Sequence, residues 1–178
     1  MSETARYGDW MQVHSGARFY PLDPRPDEID VADIAHALSL LCRYGGHVDR
    51  FYSVAEHCVL MSYAVAPEHA LAALLHDATE AYVVDVPRPL KRYLTNYREI
   101  EALVWNAICL RFRLAGDLPA EVKDADDRIL LTERDALMSN TRYPWMLEGM
   151  TPLPVTIIGW SPGHAEGRYL RRLAELVA

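Results

Sequence analysis

A chain of 178 residues with 51% hydrophobic and 24% charged side chains has the make-up of a folded globular protein of one domain. Its formal charge of −7 argues against a general binder of DNA or RNA, whose affinity rests on basic patches. No apolar run approaches the roughly 20 residues that span a bilayer, and the stretch from Met1 to Trp10 has neither the basic start nor the apolar core of a signal peptide. The expectation is therefore a cytoplasmic protein with no membrane partner. Cys42, Cys58 and Cys109 stand far apart without a CxxC pair, which fits reduced, buried thiols.

Residues 1–26 read as irregular, broken by Gly8, Gly16, Pro21, Pro24 and Pro26, with a short strand around Arg18-Phe19-Tyr20. A helix is expected over 27–44, where Ile29, Ile34, Leu38, Leu41 and Cys42 form a stripe that Gly45-Gly46 stops. Ser53-Val54-Ala55-Glu56 opens the next helix as a capping box, Ser53 and Glu56 each satisfying the other's end amide. A third begins at Pro67 and carries Leu71, Leu74, Leu75 and Ala78. Pro87 and Pro89 forbid a regular helix and predict a stiff loop. Further helices are expected over 95–113, 119–139 and 164–178. Between the last two, residues 140–154 read as loop and Val155–Trp160 as a strand with nothing to pair with. The fold class is all-α, a compact helical bundle with at most a short strand or hairpin near the termini. Its core covers about 27–139 and its C-terminal loop and helix 140–178.

The candidate chemistry lies on three of these helices. His57 adjoins Cys58 and shares a flank with Met61 and Ala64, so it faces the interior. His76-Asp77 directly follows an apolar run, where a charged Asp77 is costly to bury unless something cationic meets it. Asp126 shares a face with Val122, Ile129 and Glu133, whereas Asp127 points elsewhere, toward Lys123 and Arg134. Two neutral imidazoles and two carboxylates suit a divalent transition metal with open positions. Each residue taken singly has an ordinary structural explanation, and it is the conjunction that points to a metal. Glu80, at i+4 from His76, adds a carboxylate beside the ligand set, and Asp85 stands at the mouth of the proline loop.

His57, His76-Asp77 and Asp126 in this order resemble the signature of the HD superfamily of metal-dependent phosphohydrolases. Ser53-Val54-Ala55-Glu56-His57, His76-Asp77-Ala78-Thr79-Glu80 and Asp85-Val86-Pro87-Arg88-Pro89-Leu90-Lys91 are similar to the bacterial 5′-deoxynucleotidase branch. Val122-Lys123-Asp124-Ala125-Asp126 matches its late element, and Arg43-Tyr44 its basic-aromatic pair. The likeness spans about residues 30–135. Two departures stand out: a loop between His57 and His76 that is shorter than in the nucleotidases, and Val84 where they usually carry Gly. The segment also resembles a compact phage and bacterial HD group that includes a deoxyadenosine triphosphate triphosphohydrolase.

The resemblance implies an HD-domain bundle binding one divalent metal (cobalt, manganese, iron, zinc or nickel) through His57, His76, Asp77 and Asp126. No histidine lies between Asp77 and Asp126 to build a second metal site. Glu80 would activate the attacking water, and Asp85 would position the sugar or protonate the departing oxygen. Arg43, His47 and Lys91 would neutralise phosphate charge. The expected activity is release of phosphate from deoxynucleoside monophosphates, a small phosphorylated nucleotide being the partner. The alternatives are triphosphate release from a deoxynucleoside triphosphate and a non-catalytic nucleotide sensor. A homodimer is also implied by the resemblance.

Overall fold

The computed structural model describes residues 6–147 and 149–178, so the first five residues of the irregular N-terminal stretch lie outside it. A short antiparallel hairpin, β1 (Met11–Gln12) with β2 (Arg18–Phe19), pairs Met11 with Phe19 and Gln12 with Arg18. The rest is helical: α1 (Val31–Leu40), α2 (Val54–Ala64), α3 (Ala70–Leu75), α4 (Glu80–Val83), α5 (Arg88–Lys91), α6 (Thr95–Phe112), α7 (Ala120–Leu137) and α8 (Pro162–Val177). The expected all-α bundle with one small hairpin is what the chain forms. None of these helices is long and apolar enough to cross a membrane.

α2 is the centre of the bundle. It packs against α1, α3, α7 and α8, and Val54, Ala55, Cys58, Val59 and Met61 are buried all around its circumference. Only Tyr63 near its end is exposed, so its polar residues Glu56, His57 and Ser62 are buried as well and need partners. The main core joins α2 to Ile34 and Leu38 of α1, Leu74 and Leu75 of α3, Ile108 of α6 and Tyr169 of α8, with Phe19 of the hairpin. A second cluster joins Met61 and Ala73 to Val122, Ala125 and Ile129 of α7.

The helix expected over 27–44 is divided. Asp30 caps α1 by accepting the Ala32 N–H at 2.7 Å, which starts the helix at Val31. After Leu40 the backbone turns extended and pairs across the chain, with the Val54 N–H on the Leu41 carbonyl at 3.0 Å and the Arg43 N–H on the Tyr52 carbonyl at 2.9 Å. The proline loop is corrected too. α5 forms one helical turn with Pro89 in its first turn, where a missing N–H costs nothing.

The capping box at the head of α2 is half made. Ser53 Oγ accepts the Glu56 N–H at 3.1 Å, but the Glu56 carboxylate turns away to the C-terminal segment. Its Oε1 accepts the N–H groups of Ile158 and Gly159 at 3.0 Å, and its Oε2 accepts that of Trp160. The segment expected as a strand is thus held by a side chain, with Gly159 at φ 80°, and no strand forms over 155–160. Glu56→Gln places an amide N–H₂ against one of these donors and leaves it unsatisfied. The variant should lose about 1–3 kcal/mol of stability in chemical denaturation, with new protease cleavage between residues 155 and 161.

Candidate metal centre

Three elements bring four side chains that could ligate a metal to one neighbourhood: His57 from α2, His76-Asp77 from the turn after α3, and Asp126 from the first half of α7. His57 Nε2 lies 3.2 Å from His76 Nε2 and 3.5 Å from both Asp77 Oδ2 and Asp126 Oδ1. His76 Nε2 lies 3.3 Å from Asp77 Oδ2 and 3.9 Å from Asp126 Oδ1. Two donors sharing an ion at about 2.1 Å stand about 3.0–3.4 Å apart at cis or tetrahedral angles, and these spacings of 3.2–3.9 Å lie at or somewhat above that range. The imidazoles are buried, whereas the side chains of Asp77 and Asp126 are 21% and 25% exposed and form the solvent side.

Both rings are oriented from behind. His57 Nδ1 meets Glu133 Oε1 at 2.7 Å, and His76 Nδ1 donates to the Ala73 carbonyl at 2.8 Å. At His76 the ladder of α3 gives way to i→i+3 bonds, Ala78 N–H to Leu75 and Glu80 N–H to Asp77. With each Nδ1–H engaged, the Nε2 atoms of the neutral rings turn lone pairs toward each other and toward two carboxylate oxygens. Such a set lacks a positive charge at its centre. Metal-free, His76 supplies it: burial alone would lower the imidazole, but Asp77 outweighs burial and keeps the ring protonated. A divalent cation would take that proton's place.

Glu133 is the residue that the sequence did not single out as part of the site. Fully buried on α7, it meets His57, accepts Arg43 Nε at 3.2 Å and accepts the Tyr44 phenol. Burial would raise its carboxyl, yet Arg43 and His57 hold it at about 2. The signal was its position two turns beyond Asp126 on the same face. Arg43 reaches from Glu133 to Asp77 Oδ2, its Nη1 at 3.3 Å, and is engaged by both carboxylates. Tyr44 turns its phenol inward from a left-handed backbone, φ 57° and ψ 24°.

Glu80 opens α4 beside Asp77. Its Oε2 is buried without a hydrogen-bond partner, and burial, with the charges of Asp77 and Asp85, pushes its carboxyl up to about 9. Asp85 is exposed at the lip. It follows Val84, which holds φ 61° and ψ 156°, a region that only Gly enters without strain, and whose carbonyl accepts the Tyr97 phenol. The resembling loops carry Gly at that position, and here a valine takes the glycine conformation.

No family model matches the chain. Over 169 residues it is 40% identical to the uncharacterized protein YfdR of Escherichia coli K12, which covers 94% of this chain and 95% of that one. The chain belongs to the YfdR family. It is also 39% identical over 126 residues to an uncharacterized protein of Rhodobacter capsulatus, covering 65% of this chain and 64% of the relative.

Two further expected site residues sit apart in this YfdR-family chain. Lys91 is paired to Glu101 at 2.6 Å. His47 is exposed and lines a cleft of about 510 Å³ with Arg134, Ser139 and Trp145. Asp127, expected to point away from the donor face toward Lys123 and Arg134, is partly exposed and accepts Arg88 Nη1 at 2.8 Å, while Arg88 Nη2 donates to Asp126 Oδ2 at 2.8 Å.

Two outcomes follow from Glu80 and Val84. In the unfolded chain Glu80 ionises near 4.5, and in the metal-free fold near 9, so the folded state holds an extra proton in between. Stability therefore falls as pH rises through that window. Glu80→Gln, which mimics the protonated form, should make the metal-free protein more stable than wild type at pH 8 and little different at pH 4, measured by urea denaturation. Val84→Gly should stabilise by about 1–3 kcal/mol through relief of the backbone, partly offset by the entropy of glycine.

Proposed function

We propose that this protein is a metal-dependent phosphohydrolase of the HD type that releases inorganic phosphate from deoxynucleoside monophosphates. The observation that carries the reading is the convergence of His57 Nε2, His76 Nε2, Asp77 Oδ2 and Asp126 Oδ1, with both Nδ1 atoms engaged behind them. Those four residues would hold one divalent transition metal, the mixed nitrogen and oxygen set being open to several. When bound, such an ion supplies Lewis acidity toward a phosphate oxygen and makes water more acidic.

The chain's own residues supply the rest. Glu80, with one buried oxygen free of partners, orients the attacking water and in its ionised form accepts the proton that water loses. The water oxygen bonds to phosphorus in line with the departing sugar oxygen, and the phosphorus–oxygen ester bond breaks. The proton that Glu80 took from the water passes to the departing oxygen while Asp85, exposed at the lip, positions the sugar, so nucleoside and inorganic phosphate leave. Arg43 donates to Asp77 Oδ2 and adds to the pull of His76 and His57 that keeps this carboxylate ionised. Glu133 fixes the ring of His57.

A panel of nucleoside mono- and triphosphates, assayed with manganese, cobalt, iron, zinc and nickel after chelator treatment, tests this directly. Phosphate should appear from deoxynucleoside monophosphates only when metal is restored. His76→Ala and Asp77→Ala should each lose at least about 100-fold in turnover, since even the partners of metal ligands are worth 10–100-fold. Undiminished turnover in either variant sinks the metal mechanism. Tripolyphosphate as sole product would reassign the substrate, and saturable nucleotide binding without turnover would make the domain a sensor.

A further inference from the structure

The site needs a cation outside the ligand set to meet an incoming phosphate, and Arg43, Lys91 and Arg88 are unequally placed for that. Arg43 is nearly buried, with Nη1 on Asp77 and Nε on fully buried Glu133; withdrawing it would strand two interior carboxylates. Lys91 has its ammonium on Glu101, and its side chain is only 26% exposed. Arg88 differs from both. It extends from α5 with its side chain 60% exposed, and its fork lies across the outer oxygens of two adjacent carboxylates, Asp126 Oδ2 and Asp127 Oδ1, each at 2.8 Å.

The two oxygens of Asp126 divide the work. Oδ1 faces His57 Nε2 at 3.5 Å, among the donor atoms, and Oδ2 faces Arg88. A group bound beside Oδ1 on the solvent side therefore comes within reach of the guanidinium without movement of the helix that carries it. Arg88's hold on Asp127 is an exposed ion pair, which solvent screens and which contributes little. A phosphate dianion offers the same fork two oxygens and more charge than one carboxylate, so exchanging Asp127 for phosphate is favourable.

We propose that Arg88 is the phosphate-recognition residue of this site, parked on Asp127 when the site is empty and swung onto the non-bridging oxygens of a phosphate monoester dianion when substrate arrives, with Asp127 as its resting partner. The assignment rests on the phosphohydrolase reading of the site. It replaces Arg43 and Lys91 as the residue that meets substrate, leaving Arg43 to the ligands. It also gives Asp127 a function despite its pointing away from the donor atoms.

The test is calorimetric titration of inorganic phosphate into full-length, manganese-loaded wild type, Arg88→Gln, Arg88→Lys and Asp127→Asn, with manganese affinity measured separately on each. Wild type should bind phosphate and Arg88→Gln should bind it about tenfold or more weakly, a loss larger than any change in manganese affinity, with the melting temperature unchanged. Arg88→Lys should fall between them. Asp127→Asn frees the guanidinium and should bind phosphate at least as tightly as wild type. Equal phosphate binding by Arg88→Gln and wild type overturns the assignment while leaving the phosphohydrolase reading intact. Parallel loss of manganese and phosphate binding in Arg88→Gln and Asp127→Asn also overturns it, because Arg88 would then act only by holding Asp126. No phosphate binding by wild type removes both readings.

Discussion

A histidine with no exposure, on a helix apolar all around, is the constraint on which the rest of this structure depends. His57 cannot find water, so its Nδ1 must find a partner inside, and Glu133 supplies it from α7 at 2.7 Å. A fully buried carboxylate then needs positive charge, which Arg43 brings from the turn before α2. That guanidinium in turn reaches Asp77, so one chain of contacts ties α2, α7 and the His76-Asp77 turn together. Removing one member of such a network leaves an uncompensated interior charge at a cost of about 3–5 kcal/mol. The donor atoms are held in register by the same contacts that keep the interior neutral.

Backbone strain marks the same neighbourhood. Among the described residues other than glycine, Tyr44, Val84 and Arg113 have positive φ. Arg113 ends α6 in the left-handed conformation with its N–H on the Cys109 carbonyl, an ordinary helix stop. The other two flank the site. Tyr44 needs its left-handed turn to bring the phenol onto Glu133, and Val84 sits between Glu80 and Asp85, the two carboxylates beside the ligands. Strain of this kind persists only where surrounding contacts over-determine the chain, here Glu133 for one and the Tyr97 phenol for the other.

Local patterns made much of this legible. The extents of α2, α6, α7 and α8 follow from capping residues, proline positions and apolar spacing, and the inward faces of His57 on α2 and Asp126 on α7 follow from the same spacing. What local patterns missed depends on pairing across the chain. The helix expected through Tyr44 ends at Leu40 because Leu41 and Arg43 find backbone partners near residue 53, which no periodicity reveals. Glu56 matched a capping box, but the amides of Ile158, Gly159 and Trp160 compete for its carboxylate and win, offering three donors against one. Glu133 read as one more residue on an interior face, since its meaning lies in His57, 76 residues earlier. Lys91 and Arg43 read as cations free for phosphate because Glu101, Asp77 and Glu133 were not visible as their partners.

The acidic composition takes on a different meaning around this centre. Asp77, Asp126, Glu80, Asp85 and Glu133 gather on the elements of the site, a concentration of carboxylates that would repel any phosphorylated molecule as it stands. The fold keeps one cation, Arg43, inside to balance Asp77 and Glu133, and one, Arg88, outside on Asp126 and Asp127. Neither cancels the surplus that the donor oxygens and Glu80 leave at the centre. Glu80 responds by keeping its proton well past neutrality, and His76 by keeping a second. Both protonations offset the negative charge that these carboxylates gather in the interior. On the proposed reading a divalent ion offsets that charge and turns the local field from repelling phosphate to attracting it. The overall −7 then opposes nucleic acid on the surface without opposing a small phosphate at the centre.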